Sequence, residues 1–164
     1  MISELLKLEW RDKQSIISQI DQYKNEFFVA ISMRHDEWQK WNDDNEIFDA
    51  LLKYSGVHLC FASHRIQNNK ELVSSIIKDK HGFFEYASEE LQDDEDVVLL
   101  ALKFDDDQQS IGRNLSDRLE ELLEGLTPLE AISLLENRIA KRELKEQLSV
   151  ELKINHQEKG LAKI

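Results

Sequence analysis

Phe61-Ala62-Ser63-His64-Arg65-Ile66-Gln67-Asn68-Asn69-Lys70-Glu71-Leu72-Val73 returns 25 residues later as Tyr86-Ala87-Ser88-Glu89-Glu90-Leu91-Gln92-Asp93-Asp94-Glu95-Asp96-Val97-Val98. Aromatic falls on aromatic and Ala-Ser on Ala-Ser, and the match continues as Ile76-Ile77-Lys78 over Ala101-Leu102-Lys103. One period earlier, Asn42-Asp43-Asp44-Asn45-Glu46-Ile47-Phe48 and Leu51-Leu52-Lys53 repeat the second half of the unit. Three copies in one register identify a tandem repeat, and the fold is read from it outward.

Each unit predicts two short helices. Leu59, Ala62 and Ile66, then Phe84, Ala87 and Leu91, stand at i, i+3, i+7 and put three apolar groups on one face of the first helix. The second helix carries Ile47, Phe48, Leu51, Leu52, then Leu72, Val73, Ile76, Ile77, then Val97, Val98, Ala101, Leu102. That broader stripe can touch both neighbouring units. Asp43, Asn68 and Asp93 are expected as N-caps of these second helices, with Glu46, Glu71 and Asp96 at N3, where acids complement the positive helix end. Units this short cannot bury an apolar face alone, so they must stack.

The flanks supply partners for the stack. Residues 13–33 carry Ile16, Ile17, Ile20, Tyr23, Phe27, Phe28 and Ile31 at helical spacing, and Trp38 and Trp41 follow, Trp41 in register with Ile66 and Leu91. Ile111, Leu115, Leu119, Leu122, Leu123 and Leu126 predict a further helix, a degenerate copy of the unit. Thr127-Pro128-Leu129-Glu130 is a strong helix start, and that helix is expected to run to about Leu152. The expectation is one all-α domain over 1–164: N-terminal helices in 1–41, repeats in 42–104, C-terminal helices in 105–154 and a fraying tail in 155–164.

With 33 acids against 21 bases the chain has a net charge of −12, which disfavours nucleic-acid backbones and anionic membranes and favours a basic protein partner. The lone Cys60, between Leu59 and Phe61, reads as a small core residue. The N-terminus carries acids where a signal peptide needs bases, and the longest apolar run, Val97–Leu102, is far too short to span a bilayer, so a cytoplasmic protein is expected.

No constellation of residues points to catalysis. The five histidines lack zinc spacing, and Asp105-Asp106-Asp107 would need Gly and Glu where Ser110 and Ser116 stand to form a calcium loop. No phosphate loop or nucleophile elbow is present. The chain is therefore read as a non-enzyme without cofactor or metal. The acids at the turns, Asp43, Asp44, Asp93, Asp94, Glu95, Asp105, Asp106 and Asp107, are the candidate partner-binding residues.

Tyr86-Ala87-Ser88, Leu91, Asp93-Asp94, Val97-Val98 and Ala101 closely resemble the repeat of a bacterial family known as domain of unknown function 4116, over about residues 42–104. The earlier unit departs from its pattern, with Phe61 for Tyr, Asn68-Asn69 for the acids and Ile76 for Ala. The family has no assigned activity. Related repeats in effector-like proteins and in small partners of toxins imply a helical interaction module. Two functions are carried forward: an immunity-type inhibitor that blocks the active site of a basic bacterial toxin or effector, and an adaptor or scaffold that recognises a partner helix in a groove. An enzyme built from scattered acids is the remote third.

Overall fold

The computed structural model describes residues 8, 10–80, 83–104 and 108–161, and their regular structure is all helical, with no strand among them. The helices are α1 (Lys13–Tyr23), α2 (Phe27–Met33), α3 (His35–Trp38), α4 (Asn45–Leu52), α5 (His64–Gln67), α6 (Lys70–Lys80), α7 (Glu89–Gln92), α8 (Glu95–Phe104), α9 (Gln108–Arg113), α10 (Asp117–Leu123) and α11 (Pro128–Leu161).

The broad stripe of each second helix is the core. Ile47, Phe48 and Leu51 on α4, Val73 and Ile77 on α6, and Val97, Val98 and Ala101 on α8 are all buried, while Leu72 is half-buried against them. The first helix of each unit departs from expectation. It divides into a 3-10 turn (Gly56–Phe61, then Phe84–Tyr86), an extended alanine, and a one-turn helix. Ser63 and Ser88 cause the division, because each takes extended backbone and accepts the N3 amide of α5 or α7, restarting the helix. The same serine chemistry at Ser116 splits the single helix expected over 111–126 into α9 and α10.

The predicted caps are one residue out of place. Asp44, Asn69 and Asp94, not Asp43, Asn68 and Asp93, accept the first amides of α4, α6 and α8. The residue before each cap points instead to the next unit. Ser63 donates to the Asp43 carboxylate, Ser88 to Asn68 Oδ1 at 2.8 Å, and Ser116 to the Asp93 carboxylate. Arg65 and Arg118 complete the outer two joints, each giving Nε–H to the carboxylate (2.8 and 2.9 Å) and Nη2–H to the carbonyl of the same aspartate (2.6 and 2.7 Å). Ser116 therefore opens a further copy, three residues out of the 25-residue period. The middle joint has Asn68 and Glu90 in these places, and Glu90 meets His64 Nε2 of its neighbour at 3.1 Å instead.

The flanks close the two ends of the stack. Lys24, at φ 37°, breaks the helix expected over 13–33 into α1 and α2. Trp38 is fully buried among Trp10, Phe27 and Phe48, and its indole N–H reaches the Phe61 carbonyl at 3.0 Å, so Trp38 rather than half-buried Trp41 is the N-terminal anchor. At the other end α11 packs on α8 through Ala131 and Leu135. Its start has the expected capping box, in which the Thr127 amide donates to Glu130 and the Glu130 amide to Thr127 Oγ1. The helix then continues past Leu152 to Leu161.

Candidate functional site: an acid-rimmed apolar groove

Most of the acids singled out from the sequence are engaged within the fold. Asp43 is held by Ser63 and Arg65, and Asp44 by Lys13 at 2.9 Å. Lys70 sits 2.7 Å from both Asp94 and Asp96. Glu95, only 11% exposed, accepts from both nitrogens of Arg138 (3.0 and 2.8 Å) and from Arg118 at 3.2 Å, while Arg142 binds Asp96 at 2.7 Å. The run Asp93–Asp96 is thus matched by Lys70, Arg118, Arg138 and Arg142.

The titration of these acids follows their partners. The Ser116 hydroxyl and then Arg118 hold Asp93 below the ordinary carboxylate range, and Arg138 does the same to Glu95. For Asp96, burial pushes upward but is outweighed by Lys70 and Arg142. These acids close the array on itself and leave little charge for a partner. Asp105, Asp106 and Asp107 lie outside the described residues.

A different acidic surface stands free. α9, α10 and the first turn of α11 enclose a groove of about 560 Å³. Its floor is apolar, built from Leu102 at the end of α8 with Ile111, Leu115, Leu123, Leu126 and Ala131. Ile111 and Ala131 are buried, whereas Leu126 is 39% exposed. Asp117, Glu120, Glu121 and Glu124 line it as well, all exposed and none paired with a base among the described residues.

Local sequence explains this shape. Ser116 starts α10 and Leu119 turns inward, so Asp117, Glu120, Glu121 and Glu124 project outward. Gly125, at φ 76°, then reverses the chain so that Leu126 and Pro128 form the far wall. At Gly112 an added Cβ would touch nothing, so the near wall is open. The sequence placed the groove's leucines on a helix, but without the break at Ser116 nothing in their spacing indicated a concave surface.

Other candidates carry no comparable geometry. His64 is exposed, and its ring faces Glu90 of the next unit. Burial pushes the half-buried Cys60 thiol up, which favours its protonated form. No group of three or more potential metal ligands converges among the described residues, and no described helix is long and apolar enough to cross a membrane.

Residues 71–108 match the family described as Domain of unknown function (DUF4116). The match covers one whole unit and the second helix of the unit before it, the stretch whose Tyr-Ala-Ser and Val-Val signature was quoted above. No curated protein and no solved structure matches the chain.

Proposed function

We propose that this protein is a non-catalytic protein-binding module that takes an amphipathic, positively charged helix of a partner into the groove between α9, α10 and α11. The carrying observation is the coincidence of an apolar floor with four exposed carboxylates at its edge that no base among the described residues pairs with. An apolar slot seats the nonpolar face of a helix, and carboxylates beside it select lysine or arginine on that helix's flanks. The adaptor reading is the better supported of the two carried from the sequence, because the described turn acids on which the inhibitor reading leaned, Asp43, Asp44, Asp93, Asp94 and Glu95, are bound by the protein's own arginines and lysines.

The inhibitor reading keeps one support, the net charge of −12, which would steer a basic toxin or effector toward the chain. The two differ in their response to salt. Seating on an apolar floor persists at ionic strengths that screen surface charges, whereas capture by charge alone falls steeply. The test is fluorescence anisotropy with a labelled leucine–lysine amphipathic peptide at low and high salt. Groove docking predicts weaker binding by Glu120→Lys/Glu121→Lys and by Leu126→Asp, with Glu89→Lys, an exposed acid away from the groove, unchanged. Equal weakening by all three variants would reduce the peptide's attachment to general charge and sink the groove reading.

A further inference from the structure

We infer that the chain carries a segment suited to this groove, and that two copies exchange it: the second half of α11 of one copy lies in the groove of the other. This rests on the reading of the groove as a docking site for a cationic amphipathic helix.

α11 is 34 residues long, which is about 51 Å. Only its first half has a place in the body. Ala131 and Leu135 are buried, Arg138 and Arg142 reach Glu95 and Asp96, and every described side chain from Lys141 to Ile154 is exposed. Yet this arm is not a purely polar helix. Leu144 is 56% exposed and Leu148 50%. With Lys141 and Lys145 they stand at i, i+3, i+4, i+7, so two leucines and two lysines share one face. Glu143 and Glu146 fall on another. Neither lysine has an acid partner among the described residues. The groove presents the complement, an apolar floor beside four exposed carboxylates without a basic partner among the described residues.

The geometry permits both exchanges at once. Pro128 and Ala131, at the start of α11, form one groove wall, and the arm is the end of the same helix. With two α11 helices running antiparallel across a two-fold axis, the arm of each copy extends toward the groove end of the other. A two-fold arrangement of this kind is closed, so it ends at a dimer and doubles the area that one arm alone would bury.

Sedimentation velocity on the full chain at micromolar concentration tests this. The expected result is a dimer that Leu144→Lys/Leu148→Lys and, separately, Glu120→Lys/Glu121→Lys each convert to monomer, raising the dissociation constant about a hundredfold. All four side chains are exposed, so helicity by circular dichroism should be unchanged. Mixing the two variants should restore a heterodimer, because the mixture contains one intact arm and one intact groove. A monomeric natural chain, assembly beyond a dimer, a dimer indifferent to either variant, or a mixture that stays monomeric would overturn the exchange. A labelled peptide of residues 138–154, titrated into the Leu144→Lys/Leu148→Lys variant, separates the two claims. The variant's groove should take the peptide; if it does while the natural chain is monomeric, self-association alone is overturned, and a groove that ignores the peptide overturns the docking reading too.

Discussion

Replacing Glu95 by alanine removes a carboxylate on which arginines from two separate helices converge. Glu95 Oε1 accepts from Arg138 Nε and Nη2 on α11 and from Arg118 Nη1 on α10, so a single side chain ties three helices together. A hydrogen bond to a charged group contributes about 1.5–3 kcal/mol when buried, but Arg118 and Arg138 are 48% and 42% exposed and water would take over much of that role. Pairs with such exposed partners sit nearer 0.2–1 kcal/mol each. The carboxylate's own desolvation, relieved on mutation, offsets part of the sum. The net cost of Glu95→Ala is therefore about 0.5–1.5 kcal/mol, a fall in Tm of roughly 2–5 °C for a chain of this size.

Thermal and urea melts at pH 7 measure the effect, and a double-mutant cycle with Arg138→Ala isolates the pair. The pH dependence has a definite sign. Arg138 holds Glu95 below its usual range, so its contribution is complete above the unfolded value of about 4.3 and is lost as pH falls through the lower folded one. Variant and natural chain should converge in acid. A Glu95→Ala protein within about 0.5 kcal/mol of the natural one at pH 7, or a cycle that is additive, would refute the role given to this network.

Three further outcomes are expected. Burial lowers the pKa of His58, whose ring is packed beside Phe28, so its stabilising effect is full above about pH 6.5 and declines below it; His58→Phe should flatten the loss of stability between pH 7 and 5 in urea titrations. A methyl group at Gly56 would run into the Phe83 ring and lie 2.8 Å from Ile76 Cγ2, so Gly56→Ala should lower the urea midpoint by the equivalent of about 1–3 kcal/mol. Asn68→Asp/Glu90→Arg rebuilds at the middle joint the arrangement of its neighbours and should raise Tm beyond the sum of the single changes; a purely additive double variant would contradict the pairing seen at Asp43 and Asp93.

The repeat was legible because helical periodicity survives in Ile47, Leu72 and Val97 and their companions, which pack as their spacing required. What the register could not convey was which of two adjacent polar residues faces its own helix. Asp43-Asp44 and Asp93-Asp94 are chemically alike, and only the arrival of Ser63 or Ser116 from the next unit assigns the first to the joint and the second to the cap. The same blindness affected the candidate site. A run of acids looks equally available in sequence whether arginines 23 to 46 residues away reach it or not, and Arg118, Arg138 and Arg142 do reach it. Asp117, Glu120, Glu121 and Glu124 looked like an ordinary solvated helix face until Gly125 and Leu126 folded a wall beside them.

Because every joint is made between consecutive units by a serine hydroxyl donating to a side-chain oxygen, none depends on where in the array it stands. Such an assembly is read like a row of identical couplings, and its length is a free variable. Duplicating one 25-residue period between Asn68 and Ser88 should yield a longer chain that folds with one extra layer, the end pieces around Trp38 and α11 simply standing farther apart. Lineages could then change the distance between the two ends without redesigning either.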